Sequence, residues 1–266
     1  MNKVHIDQIG NKVAISSKLE RIISTVPSQT ELLCFLGMTD KIVGITDFCI
    51  HPKEKLEKKT KIGGTKNLDL QKIRELKPDL IISSKEENEK EQIDEISKEF
   101  PVWVSDVKSL EDAYKMIERL GAVCNRLDLA QNTSSSIRSG MDLLYSKTDI
   151  KIAYLIWENP FMVAAGGTYI NDVIKKLGFV NVFSHKKRYP QITSKELKDC
   201  GADFILLSSE PYPFNSTHIE EFNKCCPGVK IILVNGQFFS WYGNRLLLAL
   251  NYFKSIKTVI TAIHSS

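Results

Sequence analysis

The chain has 266 residues, with 36 Lys and Arg against 32 Asp and Glu for a net charge of +4, and it carries five His and six Cys. Hydrophobic residues make up 42% and charged residues 26%, an ordinary globular composition that excludes a disordered chain, a collagen-like chain and a disulfide-bound miniprotein. At about 100–200 residues per domain the length fits two domains or one large one, and so small a net charge gives no basic footprint for nucleic acid.

The first twenty residues contain no apolar run of about 7–15 residues, so no secretory signal is visible. No stretch approaches about 18 consecutive apolar residues, and no transmembrane helix is expected. Residues 21–26 (RIISTV) read as a strand. Pro27 breaks it, Ser28 is placed to cap a helix carrying Leu32, Leu33, Phe35 and Leu36, and Gly37 ends that helix. Residues 42–46 (IVGIT) are the next strand. Leu70–Leu76 has apolar residues at helical spacing and stops before Pro78. A strand over 80–83, a charged helix over 86–100, a strand over 102–107 and an amphipathic helix over 110–120 follow. Strand and helix alternate throughout, which argues for a parallel α/β sheet.

Residues 126–147 break the alternation. They hold no Pro, have a polar centre over 132–136, and read as one long connecting helix. The pattern then restarts. Lys151–Trp157 is a strand, 162–165 a second one, and Gly166-Gly167 turns the chain. Thr168 caps a helix over 169–177 that Gly178 stops. A helix over 193–199, a strand Phe204–Ser208, a helix over 218–225, a strand over 229–234 and an apolar closing helix over 246–263 complete the chain. The expected architecture is therefore α/β: a lobe over 1–125, a connecting helix over 126–148 and a second lobe over 149–266.

Catalytic signatures are missing. The sequence has no GxGxxG, no GxxxxGK[ST], no GxSxG and no HExxH. Glu86-Glu87 and Glu220-Glu221 sit on charged faces. Cys34, Cys49, Cys124, Cys200, Cys225 and Cys226 are scattered without a CxxC, so they read as reduced thiols rather than as a disulfide framework or a zinc site.

The turns after the strands are aromatic instead. Phe48 follows IVGIT. Trp157 to Phe161 (WENPF) follows KIAYLI, Glu210 to Phe214 (EPYPF) follows FILLSS, and Phe238, Phe239, Ser240, Trp241 and Tyr242 follow IILVNG. Loops at the C-terminal ends of parallel strands are where α/β proteins bind ligands. Large flat rings with a few polar anchors suit a flat, partly apolar ligand such as a macrocycle, held in a cleft between the lobes. Any one ring taken singly is more often packed core than ligand contact, and it is the four aromatic loops at equivalent strand ends that favour the binding reading.

Five segments, taken together, resemble the helical-backbone substrate-binding proteins of ferric-siderophore, haem and cobalamin uptake. They are RIISTVPSQTELLCFLG (21–37), KIVGITDFCIHP (41–52), IGGTKNLDLQKIRELKPDLII (62–82), YPQITSKEL (189–197) and FFSWYGNRL (238–246). They keep the family order across nearly the whole chain, and the similarity is greatest to the cobalamin-binding branch. The resemblance implies two α/β lobes on one long helix and a non-enzymatic binding protein that feeds an ABC-type uptake system. Its ligand is a corrinoid first and an iron complex second, and no intrinsic cofactor is implied.

Phe48 matches an aromatic that faces the corrin ring in that branch. Gln237, Phe238, Phe239 and Trp241 match the second-lobe contact loop, and Asn159 matches the Asn of the Asn-Pro pair whose neighbours line the cleft. Trp157, Phe161 and Tyr242 join them by placement, and Glu210, Lys66 and Arg245 are the candidate orienting groups. Arg245 is equally readable as pairing a carboxylate at the start of the last helix, and Lys66 as a solvated surface cation. His51 and His185 are candidates for an axial position on a bound metal, with a surface role as the plainer reading.

Three features depart from the family. No export segment is visible, so the sequence as it stands points to a cytoplasmic protein, or to a periplasmic or membrane-anchored one if such a segment was removed. The acidic permease-docking positions fall near Gln71 and Lys195, with Asp69 and Glu196 beside them. Thr65-Lys66 replaces an aromatic of the cobalamin binders. The expected partners are a small molecule and an ABC permease, with no nucleic acid, and the protein is expected to be a monomer. The competing reading is an intracellular cofactor-handling protein or enzyme on the same fold.

Overall fold

The computed structural model describes residues 2–266. They divide into two compact units, the first comprising the chain up to Val107 with Glu111–Ser136 and Tyr242–Arg245, the second comprising Lys108–Leu110, Ile137–Trp241 and Leu246–Ser266. Each unit has its own sheet, and the architecture is α/β.

The first unit opens with a hairpin, β1 (Asn2–Ile6) and β2 (Lys12–Ser16), that the sequence reading missed. Then come β3 (Ile22–Ser24), α1 (Pro27–Phe35), β4 (Ile42–Ile45), α2 (Lys53–Leu56), β5 (Thr60–Lys61) and the small ladder β6 (Gly63–Gly64) with β7 (Asn67–Leu68). They are followed by α3 (Leu70–Leu76), β8 (Leu80–Ser84), α4 (Lys90–Ile96), β9 (Val102–Ser105) and α5 (Leu110–Val123). The main sheet is parallel, in the order β5-β4-β3-β8-β9. Every residue of β3, β8 and β9 is buried, which is why these strands read as continuous apolar runs rather than alternating ones. Ile23, Ile62, Ile73, Ile81 and Ile96 form the core beneath them.

The long connector is α6 (Leu127–Leu144), which runs from the first unit into the second. The second unit holds β10 (Lys151–Trp157), β11 (Phe161–Val163), α7 (Tyr169–Lys176), β12 (Val180–Asn181), β13 (Gln191–Ile192), α8 (Ser194–Asp199), β14 (Phe204–Ser208), α9 (Ser216–Cys225), β15 (Lys230–Val234), α10 (Gly236–Ser240) and most of α11 (Arg245–Ser265). Its sheet runs β13-β11-β10-β14-β15 with β12 also on β10. The strands β10, β14, β15 and β12 are parallel, whereas β11 runs antiparallel to both of its neighbours, β10 and β13.

Helix ends show where local chemistry governs. Thr168 caps α7 as expected, accepting from the Asn171 amide. Gly178 sits at φ +91 just beyond it, where a Cβ would lie 1.9 Å from the Ser146 carbonyl oxygen, so only glycine fits. Ser28 does not cap α1. The N-cap is Val26, Pro27 occupies the first turn, and the Ser28 hydroxyl is buried with no hydrogen-bond partner. The expected helix over 86–100 shrinks to α4, because residues 85–89 are needed as a loop. Residues 236–240, read as loop, form α10 under an Asn235 cap. One helix among the described residues, α11, is long and apolar enough to cross a membrane by length and composition. A count of uninterrupted apolar residues overlooks it, since Asn251, Lys254 and Lys257 break the run.

The acids beside the expected docking positions are already engaged. Asp69 caps α3, accepting from the Lys72 amide. Glu196 closes the capping box of α8 with Thr193 and receives the Lys186 ammonium at 2.6 Å. The Lys186 hydrogen bond, and after it those from Thr193, pull the Glu196 carboxyl down to about 2. A carboxyl lowered on folding stabilises the fold above its unfolded value of about 4.3 and loses that contribution as pH falls toward about 2. By NMR titration Glu196 is expected to ionise near pH 2, and Lys186→Met should return it toward the ordinary carboxylate range. An unchanged midpoint in that variant would remove Lys186 as the main cause.

Arg245, at the start of α11, pairs with Glu31 of α1 through two hydrogen bonds of 2.7 and 3.0 Å, with side-chain exposures of only 9% and 11%. Removing one partner of such a pair strands the other charge away from water, at a cost of about 3–5 kcal/mol. Glu31→Gln is expected to lower the urea midpoint accordingly at unchanged slope. Glu20→Gln, on the exposed pair with Lys18, should leave the midpoint in place. Equal midpoints for the two variants would contradict this account.

Candidate functional site

Open α/β sheets bind ligands at the carboxyl ends of strands where the connections reverse direction. In the first unit β3 leads through α1 to β4 on one side, and β8 leads through α4 to β9 on the other. The ends of β3 and β8 therefore flank the reversal. They are closed by a buried polar network centred on Asn88, which is 5% exposed. Its Oδ1 accepts from the Thr25 hydroxyl and the Ser84 amide, both at 2.8 Å. Its Nδ2 donates to the Thr65 carbonyl at 3.0 Å, tying the loop after β6 to the sheet edge. Gln29 Nε2 donates to the Ser105 hydroxyl, which donates to the Ser83 carbonyl. Asn88 was not singled out from sequence. Its only signal was its place five residues past strand 80–83, inside what read as a helix.

Around this edge, Phe48 stands 59% exposed after β4. Gly64 lies beneath it, since a Cβ there would be 3.4 Å from the Phe48 ring. Lys66 is exposed and bonded locally: its ammonium lies 3.3 Å from the Glu89 carboxylate and donates to the Glu86 carbonyl. Tyr242 is 4% exposed, with its hydroxyl 3.3 Å from Ser84 Oγ and 3.4 Å from Glu87 Oε1. Burial, and next the Glu87 charge, push its phenol far above the ordinary range. It stays neutral and acts as a hydrogen-bonding lid on the network.

In the second unit β10 leads toward β11 and β12, while β14 leads through α9 to β15 on the other side. The reversal lies between the ends of β10 and β14. Trp157, the last residue of β10, is 40% exposed and meets Tyr212 edge-on at 5.6 Å. The Tyr212 hydroxyl donates to Glu158 at 2.6 Å and lies 3.3 Å from His218 Nε2. That bond to Glu158 is the first cause of a raised Tyr212 phenol.

Glu210 organises the rest. Its Oε1 accepts from Trp241 Nε1 at 2.7 Å and from the Ser240 hydroxyl at 2.9 Å. Gly236 passes so close that a Cβ would lie 2.5 Å from Ser208 Oγ and 2.6 Å from Glu210 Cγ.

The aromatic residues singled out from sequence thus divide. Phe48 and Trp157 are open. Trp241 (9% exposed) and Phe239 (1%) are buried, Phe239 between Tyr154 and Phe253 at 5.1 Å from each. Phe238 lies 4.9 Å from Tyr252, and Phe161 tilts inward against Phe222 at 5.4 Å. Asn159 is exposed at φ 53, and Gln237 is half-buried at the start of α10. Arg245 belongs to the ion pair with Glu31. His185 is exposed and held to the Val182 carbonyl, and among the described residues no group of three His, Cys, Asp or Glu is placed to hold a metal ion. All six cysteines are free thiols. Burial raises Cys124 to about 12 and is the first cause of a rise in Cys226 to about 11, which leaves these thiols inert.

Glu210→Gln should keep the fold, because an amide oxygen still accepts from Trp241, whereas Glu210→Ala should free the indole and shift Trp emission toward that of solvated indole. Emission unchanged in Glu210→Ala would contradict the anchoring role.

Comparison with known proteins agrees with this architecture. Residues 22–229 match the periplasmic binding protein family. The vitamin B12-binding protein of Vibrio vulnificus (strain CMCP6) is 27% identical over 188 residues, covering 68% of each chain. That of Pectobacterium carotovorum subsp. carotovorum (strain PC1) is 22% identical over 255 residues, covering 93% of this chain and 91% of the other. Among solved structures, the periplasmic vitamin B12 binding protein BtuF of Vibrio cholerae gives a TM-score of 0.79 at 22% identity, covering 91% of this chain and 98% of that one. The periplasmic haem binding protein HutB of Vibrio cholerae gives 0.77 at 16% identity, covering 91% and 99%. The structural likenesses establish the shared fold, and the family match, which spans most of the sequence, makes this chain a member of the periplasmic binding protein family.

Proposed function

We propose that the chain is a non-enzymatic binding protein for a metal-bearing macrocycle or chelate, a corrinoid first and haem or a ferric siderophore second, and that it works outside the cytoplasmic membrane and hands its ligand to an ABC-type permease. The observation that carries this reading is the pair of open aromatic rings, Phe48 at 59% and Trp157 at 40% exposure, each at the carboxyl end of a strand in its own unit's sheet. An exposed ring held in place by rigid neighbours offers a flat apolar face at little entropic cost. The functions of the relatives, vitamin B12 binding and haem binding, favour a planar tetrapyrrole-like ligand.

In this reading the two units are the two lobes, and Phe48 and Trp157 make the main apolar contacts. Gln237 and Phe238 add a polar and an apolar edge from α10, Asn159 lies two residues past Trp157, and Phe161 packs against Phe222 behind. Phe239, Trp241, Tyr242 and Glu210 hold the frame. Lys66, already bonded to Glu89 and Glu86, orients an anionic substituent only by leaving those partners. Arg245 has no ligand role, since its charge is balanced by Glu31. At the docking positions a permease would meet an amide at Gln71 and an amine at Lys195, both exposed.

Calorimetric titration of the purified chain with cyanocobalamin, cobinamide, haem and a ferric siderophore tests the proposal. One-to-one binding of one of them is expected, weakened about tenfold or more by Phe48→Ala and by Trp157→Ala, as for buried aromatic anchors. No binding of any of the four by folded protein, or affinity unaffected by both substitutions, would overturn it.

A further inference from the structure

Helix α11 poses a problem that ligand binding does not address. Its inner face is packed: Ala249, Phe253 and Ile260 have no exposure. Yet only 22% of its most apolar stretch is buried, and long apolar helices in water normally hide more of their surface. Leu248 is 61% and Val259 46% exposed on it, and at the neighbouring end of α6 Leu143 is 87% exposed, with Tyr145 just beyond at 54%. Between α6 and α11 runs a groove of about 750 Å³ whose lining includes Leu143, Tyr145, Lys254 and Lys257 and no acidic residue.

Two further observations indicate what covers this face. First, the hydroxyls of Ser255, Thr258, Thr261 and Ser265 each donate to the carbonyl four residues earlier, at 2.9–3.1 Å. A helix face whose hydroxyls are satisfied by its own backbone loses little when water is removed. Second, the charge is one-sided. α11 carries Arg245, Lys254, Lys257 and His264 and no Asp or Glu. Lys257 donates to the Leu144 and Ser146 carbonyls, and the negative charge of Asp142 on α6 is balanced by Lys176. Lys147 lies just past α6.

We propose that this face, the outer side of α11 with the end of α6, docks on an anionic lipid bilayer surface, with Leu143, Tyr145, Leu248 and Val259 entering the headgroup boundary and Lys254 meeting the lipid phosphates. Apolar side chains ringed by cations are the combination that holds a helix in the interfacial plane. A second copy of the chain is disfavoured as occupant, because a two-fold interface would set the same basic surface against itself, with no acid on α11 to compensate.

The test is sedimentation of the full chain with vesicles of phosphatidylcholine alone and of phosphatidylcholine mixed with phosphatidylglycerol. Binding to the anionic vesicles only is expected. Adding salt should weaken it, and so should Lys254→Glu, by roughly tenfold, the scale set by a few basic contacts near the surface. Leu143→Asp should abolish it, with the circular dichroism of both surface variants unchanged. Three outcomes would overturn the proposal: no binding to either vesicle, equal binding to both, or a dimer in solution that Leu143→Asp dissociates. Ligand affinity in these variants is expected to match the parent chain, so this surface and the ligand site succeed or fail separately.

Discussion

Parallel strands that end inside a fold leave polar groups at their carboxyl edge, and these must be satisfied before anything can be presented there. Both units meet this constraint with side chains. In the first, Asn88 gathers Thr25, Ser84 and Thr65 into one network, while Gln29, Ser105 and Ser83 close the adjoining strands. In the second, Ser208 takes the Tyr154 hydroxyl and donates to the Glu210 carbonyl, and the Glu210 carboxylate takes Ser240 and Trp241. With the edges closed in this way, the rings of Phe48 and Trp157 stand open at the strand ends.

This separates frame from contact. Glu210 was a candidate ligand anchor on the strength of its position after a strand, and its bonds make it a brace for the neighbouring helix. Gly236 shows how tight that brace is, because any side chain there would strike Ser208 and Glu210. Arg245 likewise serves the interior through Glu31. In the proposed site such braces mean pre-organisation, so affinity is expected to depend on the few open rings rather than on many adjustable polar contacts.

The alternation of strands and helices was legible from sequence because buried parallel strands are short, apolar and β-branched, as in RIISTV and FILLSS. The connector 126–147 was legible because its polar centre interrupts that rhythm, and the Thr168 cap because a side-chain acceptor stood directly before an amphipathic run. Other features were not legible, each for a physical reason. The hairpin β1–β2 has one strand that is almost wholly exposed, with Val4 and Ile6 outward, so it lacks the pattern of a half-buried ladder. Helix α10 is a single turn whose aromatic content resembles a loop. Asn88 is hidden in a charged stretch because its importance comes from Thr25 and Thr65, 63 and 23 residues away. Burial also decides which aromatic residues are open, and FFSWY alone cannot say that Phe239 and Trp241 point inward.

The central proposal is that the open ring at the carboxyl edge of each unit's sheet meets the ligand. Hydrogen exchange followed by mass spectrometry, with and without saturating cobalamin, tests it most directly. The account predicts slowed exchange in residues 46–51 of the first unit and in 157–161 and 236–241 of the second, with α11 unchanged. Protection confined to one unit, or appearing away from the strand ends, would contradict it.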